Sequence, residues 1–206
     1  GTAIIDGQTM QYTELVERFE HNRQAYRSGH YNETQVRREF IDPFFEALGW
    51  DVANRQGYAE DYKDVIHEHS IKVGGGTKAP DYCFRIGKEP KFFVEAKKPS
   101  IDVHNDPHPA YQVRRYGWSI KLSLSVLTDF EEFAVYDCRV QPSKSDKPST
   151  ARVMYITFDS SRCFSSIESV KQAEAQLAHL RGNGALKLPA GVTLETGSID
   201  VELRRR

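Results

Sequence analysis

With 206 residues, 39% of them hydrophobic and 28% charged, the chain has material for one α/β domain with a real core, or one domain and a trailing extension, and is neither disordered nor membrane-like in balance. No apolar run approaches the roughly 20 residues of a membrane helix and the N-terminus lacks a signal-peptide pattern, so a cytoplasmic location and no membrane partner are expected. The formal net charge of -1 gives no global sign of a nucleic-acid partner, and the odd set Cys83, Cys138 and Cys163 argues against a disulfide framework or a zinc clip.

In chain order, residues 9–27 place Tyr12, Leu15, Val16 and Phe19 at helical spacing, and Gly29 is expected to end that helix. The stretch NETQVRREFIDPFFEALGWDV, residues 32–52, opens with Asn32 as N-cap and Gln35 three residues on, the capping-box arrangement. Val36, Phe40, Phe44 and Ala47 form its apolar stripe, Gly49 supplies the stop, and Pro43 should kink it. At 100° per residue, Glu33 shares the stripe's sector, whereas Glu39 lies about 110° away and faces solvent.

A glycine-rich loop, VGGGTKAP, is expected next, followed by two strands around a Gly-Lys-Glu-Pro turn at residues 87–90. A third helix is expected over 107–121, a strand pair over 122–130 and 132–140, a polar loop, a strand near 152–158 and a helix near 166–181. The fold class is α/β, a mixed central sheet flanked by helices. Residues 1–30 read as an N-terminal helical segment, 31–160 as the core, and 161–206 as a C-terminal helix and extension that could lead into further domains.

The chemistry concentrates around the paired strands. Alternation along the second puts Glu95 and Lys97 on one face, with Val94 and Ala96 on the other. A hairpin brings Asp81 alongside. Two carboxylates on neighbouring strands suit a hard cation such as magnesium, and an adjacent amine can steady an attacking water, a set fitted to phosphodiester hydrolysis. On the third helix, Gln112 and Tyr116 share a face at i,i+4, with Arg114 and Arg115 beside them.

Each part has a plain alternative. Pro-Asp is common at turns, Glu-x-Lys is more often a solvated cross-strand pair, Glu33 could simply favour the helix dipole, and Gln112 and Tyr116 could be a packing face. Tyr111 and Trp118 read as packing residues rather than base-stacking platforms. GGGTK fails the phosphate-loop pattern, because Lys78 leads into Ala-Pro-Asp, yet Lys78 could reach DNA. His67 with His69, and His104 with His108, lack zinc spacing.

The order of the parts carries a resemblance. Pro80-Asp81 followed by Glu95-x-Lys97 resembles the PD-(D/E)xK nuclease superfamily, and Gln112-Val-Arg-Arg-Tyr116 is similar to the Q-x-x-x-Y element of its RecB-like branch. Residues 32–52 resemble the N-terminal helix of nuclease domains in type I restriction subunits and type IIG restriction-modification enzymes.

The resemblance implies a restriction-endonuclease-like fold with an αβββαβ core and a magnesium-dependent DNA endonuclease, manganese substituting, that acts in defence against foreign DNA. Asp81 and Glu95, with the Ala96 carbonyl, would bind the metal; Lys97 would orient water; Glu33 would join the site. Gln112, Tyr116, Lys78 and Arg115 would brace it or touch double-stranded DNA. Such domains usually belong to larger chains with methyltransferase, translocase or target-recognition parts, so a fragment or a stand-alone relative is expected. The alternative is a catalytically silent nuclease-like module for DNA binding or assembly.

Overall fold

The computed structural model describes residues 14–157. The expected helix near 166–181 and Cys163 lie outside them, as does the first part of the expected helix 9–27. Residues 14–21 are helical (α1), and a separate turn, α2 (Arg23–Tyr26), follows. The single expected helix is therefore broken at Asn22, whose side chain donates to the Arg18 carbonyl at 3.3 Å. Glycine 29, at φ +88°, ends the segment.

The capping box forms as the local sequence dictates: the Asn32 side chain accepts the Gln35 N–H, and the Gln35 side chain accepts the Asn32 N–H, both at 2.9 Å. Helix α3 (Glu33–Val36) then passes through a π turn (Arg37–Ile41) into α4 (Asp42–Ala47). The disturbance expected from Pro43 thus takes the form of one wide turn just ahead of it. At the other end, Gly49 at φ +97° lets its own N–H reach the Glu46 carbonyl and that of Trp50 reach Phe45, the paired bonds of a Schellman stop.

A 3-10 turn (Glu60–Tyr62) leads to the strands β1 (Val65–His67), β2 (Ile71–Val73), β3 (Gly76–Lys78), β4 (Tyr82–Ile86) and β5 (Glu89–Ala96). After them come α5 (Pro107–Ser119), β6 (Leu124–Thr128), β7 (Glu132–Asp137) and β8 (Arg152–Thr157). Six strands make one sheet in the order β1-β4-β5-β6-β7-β8. Among the described strands, only β5 and β6 run parallel, with α5 as the crossover between them. The architecture is mixed α/β, a mainly antiparallel sheet flanked by helices.

The glycine-rich segment is not the expected loop. Ile71–Val73 and Gly76–Lys78 pair as a hairpin whose turn residues, Gly74 and Gly75, both have positive φ, the geometry a two-residue hairpin connection asks for. The β4–β5 turn is also tighter than read, since Ile86 already faces Glu89 and Pro90 lies within the strand, next to a register shift at Phe84/Arg85.

Two faces of the sheet are covered differently. Toward α1, α3 and α4, an aromatic core gathers Phe19, Phe40, Phe44, Phe45, Phe84 and Phe92, with Val94 and Ala96 contributed by β5. The rings of Phe84 and Phe92, direct cross-strand partners, stack at 4.8 Å. On the opposite face, Cys83 and Phe93 pack with Tyr116 of α5 and with Ile71 and Val73 of the hairpin. Glycine 117 lets α5 approach closely, because a Cβ there would meet Cys138 Sγ at 2.4 Å and Ser125 Oγ at 2.8 Å. Cys83 and Cys138 are buried free thiols. Trp118, expected to pack, is exposed at 40%. Among the described residues, no helix is long and apolar enough to cross a membrane.

Candidate active site

The site is built where the start of β4, the end of β5 and the first turns of α3 meet. Register pairs Tyr82 with Val94, so the next pair outward is Asp81 and Glu95, on the face shared by Cys83 and Phe93. Asp81 is fixed by the chain beside it: its Oδ2 accepts the Ala96 N–H at 2.8 Å. Its Oδ1 faces Arg37 Nη1 at 3.4 Å.

Glu95 is only 5% exposed, and its Oε2 has no hydrogen-bond partner. A buried carboxyl oxygen left open is costly unless something is meant to meet it. Burial first, and then the Asp81 carboxylate, push the Glu95 carboxyl well above the usual carboxylate range, while Lys97 pulls the other way. Lys97 sits just past β5, with its N–H bonded to the Thr128 carbonyl at 2.9 Å. Its ammonium lies 3.7 Å from Glu33 Oε1, so the acid at the start of α3 meets the lysine of the strand end.

The helix α5 side completes the arrangement. Gln112 Nε2 donates to Tyr116 Oη at 2.6 Å. Burial raises the Tyr116 phenol above its ordinary value, and the charges of Glu95 and Asp81 add to that, placing the hydroxyl within their field. Arg115 lies against the hairpin turn, since a Cβ on Gly74 would fall 2.2 Å from its Nη2. Lys78 is exposed at the end of β3, two residues before Pro80. Asp81, Glu95, Ala96, Lys97 and Glu33 are thus brought together, Tyr116 with its partner Gln112 lies within the field of the two carboxylates, Arg115 rests on the hairpin turn, and Lys78 is exposed at a strand end. Glu39 is exposed and accepts the Tyr31 hydroxyl, away from this set.

Sequence reasoning missed Arg37, which contacts both the side chain and the main chain of Asp81. A signal was present: Arg37 stands four residues after Glu33 and so shares its helix face.

Among the described residues, no group of three or more His, Cys, Asp and Glu side chains is arranged to hold a metal ion. The donors do fit a magnesium-type ion, which takes one or two carboxylates and keeps several waters, and the open Glu95 Oε2 beside Asp81 is the oxygen such an ion would use. They do not fit structural zinc, which needs four nitrogen or sulfur donors.

Over 150 residues the chain is 43% identical to the type II restriction enzyme and methyltransferase RM.Eco57I of Escherichia coli, a match covering 72% of this chain and 15% of that protein. The chain therefore spans a small part of the length of that curated relative, and is related to a segment of a restriction enzyme. No protein-family model matches it. Among solved structures, a DrdV–DNA complex overlays with a TM-score of 0.41 at 14% identity, over 87% of this chain and 14% of that one. A fragment of a putative HsdR subunit of a type I restriction enzyme from Vibrio vulnificus YJ016 gives 0.39 at 14% identity, over 73% and 26%. Overlays this loose give no residue correspondences.

Proposed function

We propose that this chain is the DNA-cleaving module of a restriction-modification enzyme, a PD-(D/E)xK nuclease that hydrolyses phosphodiester bonds with magnesium, manganese serving as substitute. The observation that carries the reading is the buried Glu95 carboxyl, with Oε2 open, set beside Asp81 and two residues before Lys97. The E. coli relative, in which restriction enzyme and methyltransferase are one protein, supports a setting of the type IIG kind, with modification and target-recognition parts as partners. A cytoplasmic role in defence against foreign DNA goes with that setting.

In this reading Asp81 and Glu95 would hold the ion, with the Ala96 carbonyl as a further oxygen. When bound, magnesium polarises the phosphoryl oxygen and makes its water more acidic. The chain's own groups do the placing. Asp81, pinned on the Ala96 N–H, presents a fixed carboxylate. Lys97 donates a hydrogen bond to the attacking water and to a nonbridging phosphate oxygen, and Glu33 holds the ammonium within reach of both. Water adds to phosphorus and releases one proton to solvent, the P–O3′ bond breaks, and a solvent proton goes to the leaving oxygen, giving 5′-phosphate and 3′-hydroxyl ends. Gln112 and Tyr116 would keep the α5 side of the site in place, while Lys78 and Arg115 would contact flanking phosphates of the duplex.

The test is incubation of the chain with supercoiled plasmid in magnesium and in manganese. Nicking that vanishes with EDTA, in Asp81→Ala and in Lys97→Ala is expected. Cleavage unchanged in both variants would overturn the proposal.

A further inference from the structure

We infer that Arg37 is a positioning residue for the divalent ion: it holds Asp81 in the one orientation in which its carboxylate can act as ligand. The inference rests on the metal-dependent reading above and adds to it a residue on a different element.

The geometry is a grip on two parts of one residue. Arg37 Nη1 lies 3.4 Å from Asp81 Oδ1, and Nη2 lies 3.3 Å from the Asp81 carbonyl oxygen. The guanidinium is itself held. It stacks over the Tyr82 ring at 4.7 Å, and the Tyr82 hydroxyl donates to Asp42 Oδ1, back on the helix that carries Arg37. On its outer side, Nη2 is 3.4 Å from His67 Nδ1. His67 Nε2 lies 2.9 Å from the Val52 carbonyl, which makes Nε2 the protonated nitrogen and leaves Nδ1 to accept from Arg37. With Oδ2 bonded to the Ala96 N–H, the carboxylate plane is set from both sides.

A bare cation this close would repel a metal ion. Here part of that charge is offset by Asp81 and, at 3.9 Å, by the exposed Glu68 Oε1, and the manganese titration below decides between orientation and repulsion. Lysine could not replace it, because a single ammonium cannot bond the side chain and the carbonyl while lying flat on the Tyr82 ring. Glu33, one turn earlier, meets the Lys97 ammonium, so one helix face braces an acid and the lysine of the site together.

The experiment is a manganese titration of the metal-free chain, followed by calorimetry and by water-proton relaxation, without DNA. Asp81→Ala is expected to abolish binding. Arg37→Met and Arg37→Lys are both expected to weaken it by roughly 10- to 100-fold, the usual effect of removing a group that orients a metal ligand, with circular dichroism unchanged. Should the Arg37 variants fail to fold, His67→Ala, which loosens the guanidinium without removing it, is expected to weaken binding, and unchanged binding there would sink the inference. Wild-type or tighter affinity in Arg37→Met, or full rescue by Arg37→Lys, would overturn it, whereas manganese binding that survives Asp81→Ala would instead strike the metal-dependent reading.

Discussion

Replacing Glu95 by glutamine should make the metal-free protein more stable. In the folded chain, burial and then Asp81 push this carboxyl up from 4.5 to about 10. A raised carboxyl binds its proton more tightly folded than unfolded, so its effect appears above the unfolded value: stability falls as pH rises from 4.5 toward the folded value. At about 1.4 kcal/mol per pH unit, the upper limit of that loss is about 3.5 kcal/mol at pH 7 and about 5 kcal/mol at pH 8. Local relaxation lowers this, and on the order of 1–3 kcal/mol is expected. Glutamine keeps the shape and can still donate to Asp81, but carries no proton to lose. Urea unfolding in EDTA at pH 5 and pH 8 reads the effect directly. The variant should exceed wild type at pH 8 and come much closer to it at pH 5, where the folded carboxyl is protonated and pH lies only about half a unit above the unfolded value, so that little of the loss has developed. A variant no more stable at pH 8, or a gap equal at both values, would refute the reasoning.

Gly117→Ala should push α5 off the sheet, since three atoms of Cys138 and Ser125 lie within 2.8 Å of the new methyl. Overpacking of this kind costs about 1–3 kcal/mol or more and outweighs the gain of about 1 kcal/mol in helix propensity, so thermal denaturation should shift down by a few degrees, and Cys138→Ala should restore part of the loss. Lys97→Met should retain manganese binding within a few-fold by calorimetry while losing plasmid nicking by about 100-fold or more, as expected for a group that acts on water rather than on the ion. Glu131, which is 6% exposed and bonded to Arg27 from the β6–β7 turn, ties α2 to the sheet. Its replacement by alanine leaves Arg27 and Arg23, whose side chains are 52% and 33% exposed, to be solvated by water and should cost about 1 kcal/mol in urea unfolding.

Local signals translated well into structure. The Asn32 and Gln35 cap and the Gly49 stop depend on residues within a few positions of one another, and both formed. That Asp81 and Glu95 lie on neighbouring strands was legible from the hairpin, but their register was not, because it depends on the shift at Phe84/Arg85, which the turn alone does not contain. The β2–β3 hairpin was not legible either. Strands of three residues carry almost no periodicity, and Gly74 and Gly75 look alike in a loop or in a turn. The break at Asn22 and the π turn before Pro43 are outcomes of packing against the sheet, which a helical wheel does not contain. Arg37 meets Asp81 across 44 positions of sequence, and its spacing from Glu33 was the local hint of it; Gly117 matters because Cys138 and Ser125 lie over it, a contact that leaves no mark in the residues nearby.

In the reading proposed above, Asp81 and Glu95 share one divalent ion. Anomalous diffraction from crystals soaked in manganese tests it most directly. A single strong peak between the Asp81 carboxylate and Glu95 Oε2, within about 2.0–2.3 Å of each oxygen, is the predicted result. Manganese bound elsewhere, with none between these two side chains, would contradict the claim.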